Sequence, residues 1–191
     1  MARVVVVGVG ALGSHVVQYL RNVADEIVVI DHDRVERKNV LSQFHGKGTV
    51  GKSKVQAIQQ SMNFMFGVKV HTVPHKLVED NAEQLLGGAD LVLDCLDNGE
   101  SRAVVQRYVR EAGTPCLHGA LDANGTFGQV MWDDEFHIDY ETTRGGATCE
   151  NGEHLPFISM VSAFLARAAQ AFLTQGKQIG FLVYLDGAKR V

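Results

Sequence analysis

Residues 2–8, "ARVVVVG", are apolar without alternation, the pattern of a strand covered on both faces of a sheet. Residues 11–23, "ALGSHVVQYLRNV", place apolar side chains at helical spacing, and "EIVVID" (26–31) is a second unalternating run. The same reading predicts a helix over roughly 51–66, a strand near 68–73, a short helix at 78–86 and a strand at 89–96. A helix at 100–113 ends on glycine. Strands at 115–121 and 126–132 flank a turn at Asn124-Gly125, a helix covers roughly 155–175, and a strand at 179–186 closes the chain. Strand–helix alternation of this kind predicts an α/β, Rossmann-like fold. The sheet is expected to be mostly parallel with helices on both faces, and the C-terminal part to add antiparallel strands. No repeat or linker divides the chain, so 1–191 is expected to form one domain. The least regular stretch, 133–154, is polar and glycine-rich and longer than an ordinary connection, which marks it as functional or disordered.

Composition narrows the class. The 191 residues are 46% hydrophobic and carry a net charge of −4, which argues against generic nucleic-acid binding despite basic clusters at 34–38 and 46–54. Three cysteines without CxxC spacing argue against a disulfide framework or a paired-CxxC zinc site. Cys95 and Cys116 fall in strand candidates and read as core residues. The N-terminal run contains three glycines and lacks a secretory profile, and no run approaches the roughly 20 apolar residues of a membrane span. A cytoplasmic location without membrane partners is the expectation. His71 and His75 have metal-like spacing, but Pro74 lies between them and no cysteine pair accompanies them.

Gly8, Gly10 and Gly13 form G-x-G-x-x-G between a strand and a helix. The first and third glycines serve a tight turn and close packing, and the second lets a phosphate approach the helix N-terminus. Asp31 ends the second strand 18 residues after Gly13 (31 − 13), placed to accept from ribose hydroxyls. "GKGTVGKS" (46–53) matches the Walker A pattern literally, but the preceding "ERKNVLSQFH" offers no buried strand to enter it. The better reading starts a helix at Gly51 and puts Lys52 and Lys54 in its first turn. The helix dipole disfavours cations there, so lysine implies a compensating anion such as phosphate.

Four elements in order, "VVVVGVGALGS", "VVIDHDRVERKNVLSQF", "GKSKV" and "LDCLDNGESR", make the chain resemble the ThiF/MoeB/HesA adenylyltransferases of the ubiquitin-activating superfamily. The resemblance implies that Gly8, Gly10, Ala11, Leu12 and Gly13, together with Leu96, Asp97 and Asn98, line an ATP site. It implies that Asp31 holds the ribose, that Asp33 lies near phosphates and metal, and that Asn39 and Gln43 contact the nucleotide. Lys54 would meet the phosphates and Asp97 would orient Mg²⁺, a role compatible with capping the following helix. Arg102 would tie that loop to its helix. Cys149 matches a loop position where some members carry a covalently acting cysteine, although Glu150 and Glu153 beside it would raise its pKa. The implied substrate is the C-terminal glycine of a small ubiquitin-like or sulfur-carrier protein, and the implied assembly a homodimer.

Departures matter as much. Ser42 stands where the family has arginine, and the chain starts at its first strand, so the arm carrying a second arginine is expected to be missing. Arg34, Arg37, Lys38 and Lys52 are nearby candidates for compensation. Two alternatives therefore stay open: a non-catalytic or partner-dependent nucleotide-binding subunit, and an NAD-dependent oxidoreductase built on the first 31 residues.

Overall fold

The computed structural model describes residues 2–138, 152 and 154–191. Strands β1 (Arg3–Val7), β2 (Glu26–Ile30), β3 (His71–Val73), β4 (Leu91–Asp94), β5 (Cys116–Leu121), β6 (Phe127–Trp132), β7 (Phe181–Tyr184) and β8 (Gly187–Arg190) form one sheet in the order β3-β2-β1-β4-β5-β6-β7-β8. Pairings from β3 to β5 are parallel and those from β5 to β8 antiparallel, as the alternation predicts. The helices are α1 (Ala11–Tyr19), α2 (Lys54–Phe66), α3 (Glu79–Leu86), α4 (Gly99–Ala112) and α5 (Leu155–Gln175).

Successive β1 residues point to opposite faces, and both faces are covered. Val4 and Val6 pack with α1, α2 and α5 residues such as Val16, Ile58 and Leu165. Val5 and Val7 pack with α3 and α4 residues such as Leu86 and Val105. A strand buried on both sides has no polar positions to alternate, hence the four valines in a row. Val7 is in register with Ile30 of β2 and Asp94 of β4, so the loops after all three strands gather at one sheet edge. That edge, where strand order reverses beside β1, is where open α/β sheets bind ligands.

Three elements differ from expectation. Helix α2 begins at Lys54, not Gly51, because residues 51–54 run back along 33–35. The Gly51 N–H donates to the Val35 carbonyl, Val35 N–H to Lys52 and Lys54 N–H to Asp33. Gly51 itself sits at φ +88°, a turn and not a first helical residue. Strand β3 starts at His71, since Val68 N–H is still closing α2 on the Met62 carbonyl. The closing strand is a hairpin, β7 turning into β8, whose sequence "GAKR" is polar and edge-exposed and so shows no hydrophobic pattern.

Helix α5 is long and apolar enough by length and composition to cross a membrane, more than the run-length reading credited. Here it is a core helix. Phe157, Val161, Leu165 and Ala168 enter the main core, against α1, β5, β6 and β7. Two strand glycines permit the close approach: a methyl on Gly128 would meet Val161 at 2.6 Å and one on Gly119 would meet Leu165 at 2.9 Å.

Candidate functional site

The glycine turn divides its labour. Gly8 adopts φ +86° and donates its N–H to the Ile30 carbonyl at 2.8 Å. A methyl on Gly13 would lie 1.9 Å from the Gly8 carbonyl oxygen, so α1 rests directly on the strand end. Both glycines are required by packing. Among the described residues, a methyl on Gly10 would meet only Gln43 Nε2, at 4.0 Å, and no side chain caps α1. Its free N–H groups and positive dipole end face open space over Gly10, which suits a phosphate. Ala11 is half-buried there, Leu12 turns its side chain into the core, and Leu96 packs beside Gly8.

Asp31 braces this turn. Its Oδ2 accepts from Val9 N–H at 2.9 Å and its Oδ1 from Asp33 N–H at 2.8 Å, leaving the remaining lone pairs for a ligand. Lys54, almost buried at 8% exposure, reaches Asp33 Oδ2 at 2.8 Å. Burial works against the lysine's charge, but Asp31, Asp33 and Asp97 outweigh it and hold its pKa above the ordinary value. Burial likewise works against the Asp33 carboxylate, and Lys54 outweighs it and lowers the pKa. A buried ammonium among three carboxylates stays charged and can exchange Asp33 for a phosphate oxygen. Asp31, His32 and Asp33 also present ligand atoms within 4.8 Å of one another, a geometry able to take a cation.

Asp97 does not cap α4. That role belongs to Asn98, whose Oδ1 accepts from Ser101 N–H at 2.9 Å because its backbone is extended where the helix starts. Asp97 is left exposed, with Asn98 Nδ2 at 3.4 Å from its Oδ1. Asn98 is thereby a structural residue through its carbonyl oxygen. Asn39 is similar: its Oδ1 accepts from Glu36 N–H at 2.8 Å and shapes the short 3-10 turn Arg37–Leu41, which leaves its amide donors and one oxygen lone pair for a ligand.

The wall from 37 to 45 differs most from the sequence-level picture. Ser42 is 1% exposed, and its carbonyl accepts from His15 Nε2 at 2.9 Å. Three of the four expected compensating cations are engaged elsewhere: Arg34 donates to the Gly51 carbonyl, Lys52 to Gln60 Oε1, and Lys38 lies 3.7 Å from Glu36, while Arg37 opens the 3-10 turn itself. His45, which sequence reasoning passed over, donates from Nε2 to the Val9 carbonyl at 3.0 Å. Burial, with Lys54 and His15 nearby, pushes its pKa down to about 4, and burial also lowers that of His15. Gln43 Oε1, His45 Nδ1 and Ser53 Oγ are buried with no hydrogen-bond partner among the described residues. Gln43 and His45 adjoin the glycine turn at Gly10 and Val9, and Ser53 immediately precedes Lys54; unmet buried polar atoms of this kind are what a ligand site leaves in the empty protein. No strand runs into the Walker-like stretch 46–53 among the described residues; 3-10 turns at 37–41 and 47–49 precede it instead.

A second charged cluster lies behind the Asp97 turn. Arg102 donates to Asp94 Oδ2 at 2.9 Å, to the Leu96 carbonyl and to the Gly119 carbonyl at 2.7 Å, so it holds the loop to the sheet. His118 lies between Asp94 (Nδ1 to Oδ2, 2.7 Å) and Asp133 (Nε2 to Oδ1, 3.0 Å), with Phe136 stacked on its ring. Asp94, His118 and Asp133 escaped the sequence reading. The available signal was a carboxylate and an imidazole inside otherwise apolar strands, since buried charges occur in pairs. Cys95 and Cys116 are buried thiols whose pKa burial raises, consistent with core roles. Cys149 lies outside the described residues, and His71 and His75 join no metal-competent cluster among the described residues.

The sequence model of the ThiF family matches residues 1–189. The chain is 36% identical over 126 residues to a SAMP-activating enzyme E1 of Haloferax volcanii, covering 63% of this chain and 46% of that protein. It is 33% identical over 138 residues to a probable adenylyltransferase/sulfurtransferase MoeZ of Mycobacterium tuberculosis, covering 70% of this chain and 35% of that protein. A molybdopterin-synthase adenylyltransferase of Salmonella typhimurium is 33% identical over 122 residues, 62% of this chain and 49% of the relative. The chain thus spans less than half of each of these curated relatives. Among solved structures, E. coli MccB with ATP superposes with a TM-score of 0.81 at 17% identity, over 100% of this chain and 62% of the other. That likeness establishes the same fold.

Proposed function

The chain belongs to the ThiF family, and on that footing we propose that it is an ATP-dependent adenylyltransferase acting on a carboxylate. The substrate we propose is the C-terminal glycine of a small ubiquitin-like or sulfur-carrier protein, the class named for the Thermus thermophilus sulfur carrier protein adenylyltransferase, 36% identical over 125 residues. The observation that carries the reading is buried Lys54, held charged by Asp31, Asp33 and Asp97 beside the open α1 N-terminus.

In this reaction a carboxylate oxygen bonds to the α-phosphorus of ATP. The bond from that phosphorus to the bridging oxygen breaks, and pyrophosphate leaves with the electron pair. The product is an acyl-adenylate. No protein nucleophile is needed, so the protein contributes position and charge. Asp31 orients the ribose with its unused lone pairs. The α1 N–H groups at Gly10 and Ala11 and the Lys54 ammonium face the phosphates, and Gln43 lies against the same turn. The open carboxylate of Asp97, with Asp33, is what a Mg²⁺ ion would use, and bound there it would neutralise phosphate charge. We further propose that the active assembly is a homodimer.

One observation favours a second reading, a partner-dependent or non-catalytic subunit. Ser42 is buried where the family arginine would stand, and Arg34, Lys38 and Lys52 are engaged away from the site. Calorimetry with ATP, with and without Mg²⁺, and with NAD, followed by carrier-dependent pyrophosphate–ATP exchange, separates these. Mg²⁺-sensitive ATP binding with exchange supports the enzyme. Binding without exchange favours the subunit, and NAD binding alone overturns both.

A further inference from the structure

His118 sits between two pieces of the molecule that share no backbone. On one side its Nδ1 meets Asp94 Oδ2, the oxygen that also takes Arg102, while Asp94 Oδ1 accepts from Leu96 N–H at 3.0 Å. Through Arg102 the same group reaches the Leu96 carbonyl, next to Asp97. On the other side Nε2 meets Asp133 Oδ1, and Phe136 stacks on the ring at 4.3 Å and 5°. Asp133 and Phe136 begin the polar segment that follows β6, and they are fixed by Arg110 and Gln106 of α4. A neutral imidazole has one N–H. With a carboxylate at hydrogen-bond distance from each nitrogen, only the doubly protonated ring satisfies both.

We propose that His118 is a positioning residue that joins the β4–α4 turn bearing Asp97 to the entry of the segment after β6, so that the two move as one unit. Glutamine or asparagine has one donor nitrogen and cannot span both carboxylates in this way. The charge balance agrees with the geometry. Burial opposes the imidazolium, but Cys116, Asp133 and Asp94 together hold its pKa at about 11, and Asp133 is held down at about 2. The polar and charged groups around the ring are Asp94 from β4, Cys116 from β5, Asp133 after β6, and Arg102 from α4 through Asp94. What the coupling is for rests on the adenylyltransferase reading: nucleotide bound against Asp97 would be felt where a carboxylate partner approaches along the post-β6 segment. The coupling itself does not.

The test is hydrogen–deuterium exchange on the full chain, as wild type, Asp133→Asn and Arg110→Ala, each with and without ATP and Mg²⁺. Asp133→Asn is expected to speed exchange at 133–136 and also at 95–98, roughly tenfold or more, the fold-change that loss of one charge-assisted hydrogen bond gives. Arg110→Ala touches Asp133 but not His118 and is expected to speed 133–136 alone. Nucleotide is expected to slow both regions in wild type, and only 95–98 in Asp133→Asn. Disturbance by Asp133→Asn confined to 133–136 overturns the linkage, as does an equal effect of Arg110→Ala on 95–98. If ATP slows nothing while Asp133→Asn still disturbs 95–98, the linkage stands and the adenylyltransferase reading falls. A proton NMR spectrum of wild type near neutral pH should show two His118 ring N–H resonances, both moved by Asp133→Asn, and a single one removes the double clamp.

Discussion

The two charged clusters lie on either side of the β4–α4 turn and differ in completeness. Behind the turn, Asp94, Arg102, His118 and Asp133 satisfy one another and two backbone carbonyls, in a setting where Asp94 and His118 are fully buried. In front of it, Asp31, Asp33 and Lys54 stand beside an exposed Asp97, an uncapped helix end and three unpartnered buried polar atoms. Both are dense in charge, yet among the described residues the unmet hydrogen-bonding capacity lies on the open side. A closed network stabilises or transmits, whereas an open one awaits a ligand.

The contrast can be broken by single substitutions. Arg102→Met removes the cation from buried Asp94 and should destabilise the fold by about 3–5 kcal/mol in urea unfolding, the usual cost of orphaning a buried charge. An effect below about 1 kcal/mol would mean that the closed cluster does not support the fold. Ser42→Arg tests the open side. Ser42 is buried with its carbonyl fixed by His15, so an arginine has no solvated position and should cost roughly 2–4 kcal/mol instead of restoring a lost contact. A stable Ser42→Arg protein with raised pyrophosphate exchange would show that the wall re-forms around arginine. Lys54→Met comes next. Its partner Asp33 is half exposed, so unfolding should change by only about 1 kcal/mol, while ATP affinity falls roughly ten- to a hundredfold. Unchanged affinity by calorimetry would remove Lys54 from the phosphate site.

The open cluster was legible in the sequence because its residues are spaced by the backbone. Gly8, Gly13 and Asp31 follow from a strand end, a helix start and the next strand end, and Lys54 from the helix that returns. The closed cluster joins positions 94, 102, 118 and 133, brought together by sheet order, which no local pattern encodes. Its members appear in sequence only as polar interruptions in apolar strands. The cap at Asn98 was misplaced by one residue for a local reason: Asp and Asn are both good caps, and only the extended backbone at 98 decides between them. Strand β8 carried no hydrophobic pattern because its side chains are exposed at the sheet edge.

The histidines give the finest discrimination, because the two clusters shift them oppositely. His118 has its folded pKa raised from 6.5 to about 11, so the unfolded chain loses that proton first as pH rises. Its contribution is complete below pH 6.5 and declines above it, by at most about 1.4 kcal/mol per pH unit. His45 has its folded pKa lowered from 6.5 to about 4, so the unfolded chain gains a proton first as pH falls. Its contribution is complete above pH 6.5 and declines between 6.5 and 4, with the lowered pKa of His15 acting in the same direction. Melting temperature should therefore peak near pH 6.5 and fall on both sides. Asp133→Asn withdraws one carboxylate from His118 and should flatten the alkaline limb, and His45→Leu should flatten the acid limb. ATP should shrink the acid limb most, because phosphate charge over the glycine turn favours protonated His45 directly and would reach His118 only through the Asp97 turn and Arg102. An acid limb that ATP leaves unchanged would remove His45 from the nucleotide site, because a phosphate over the glycine turn could not then lie close enough to favour its protonated form.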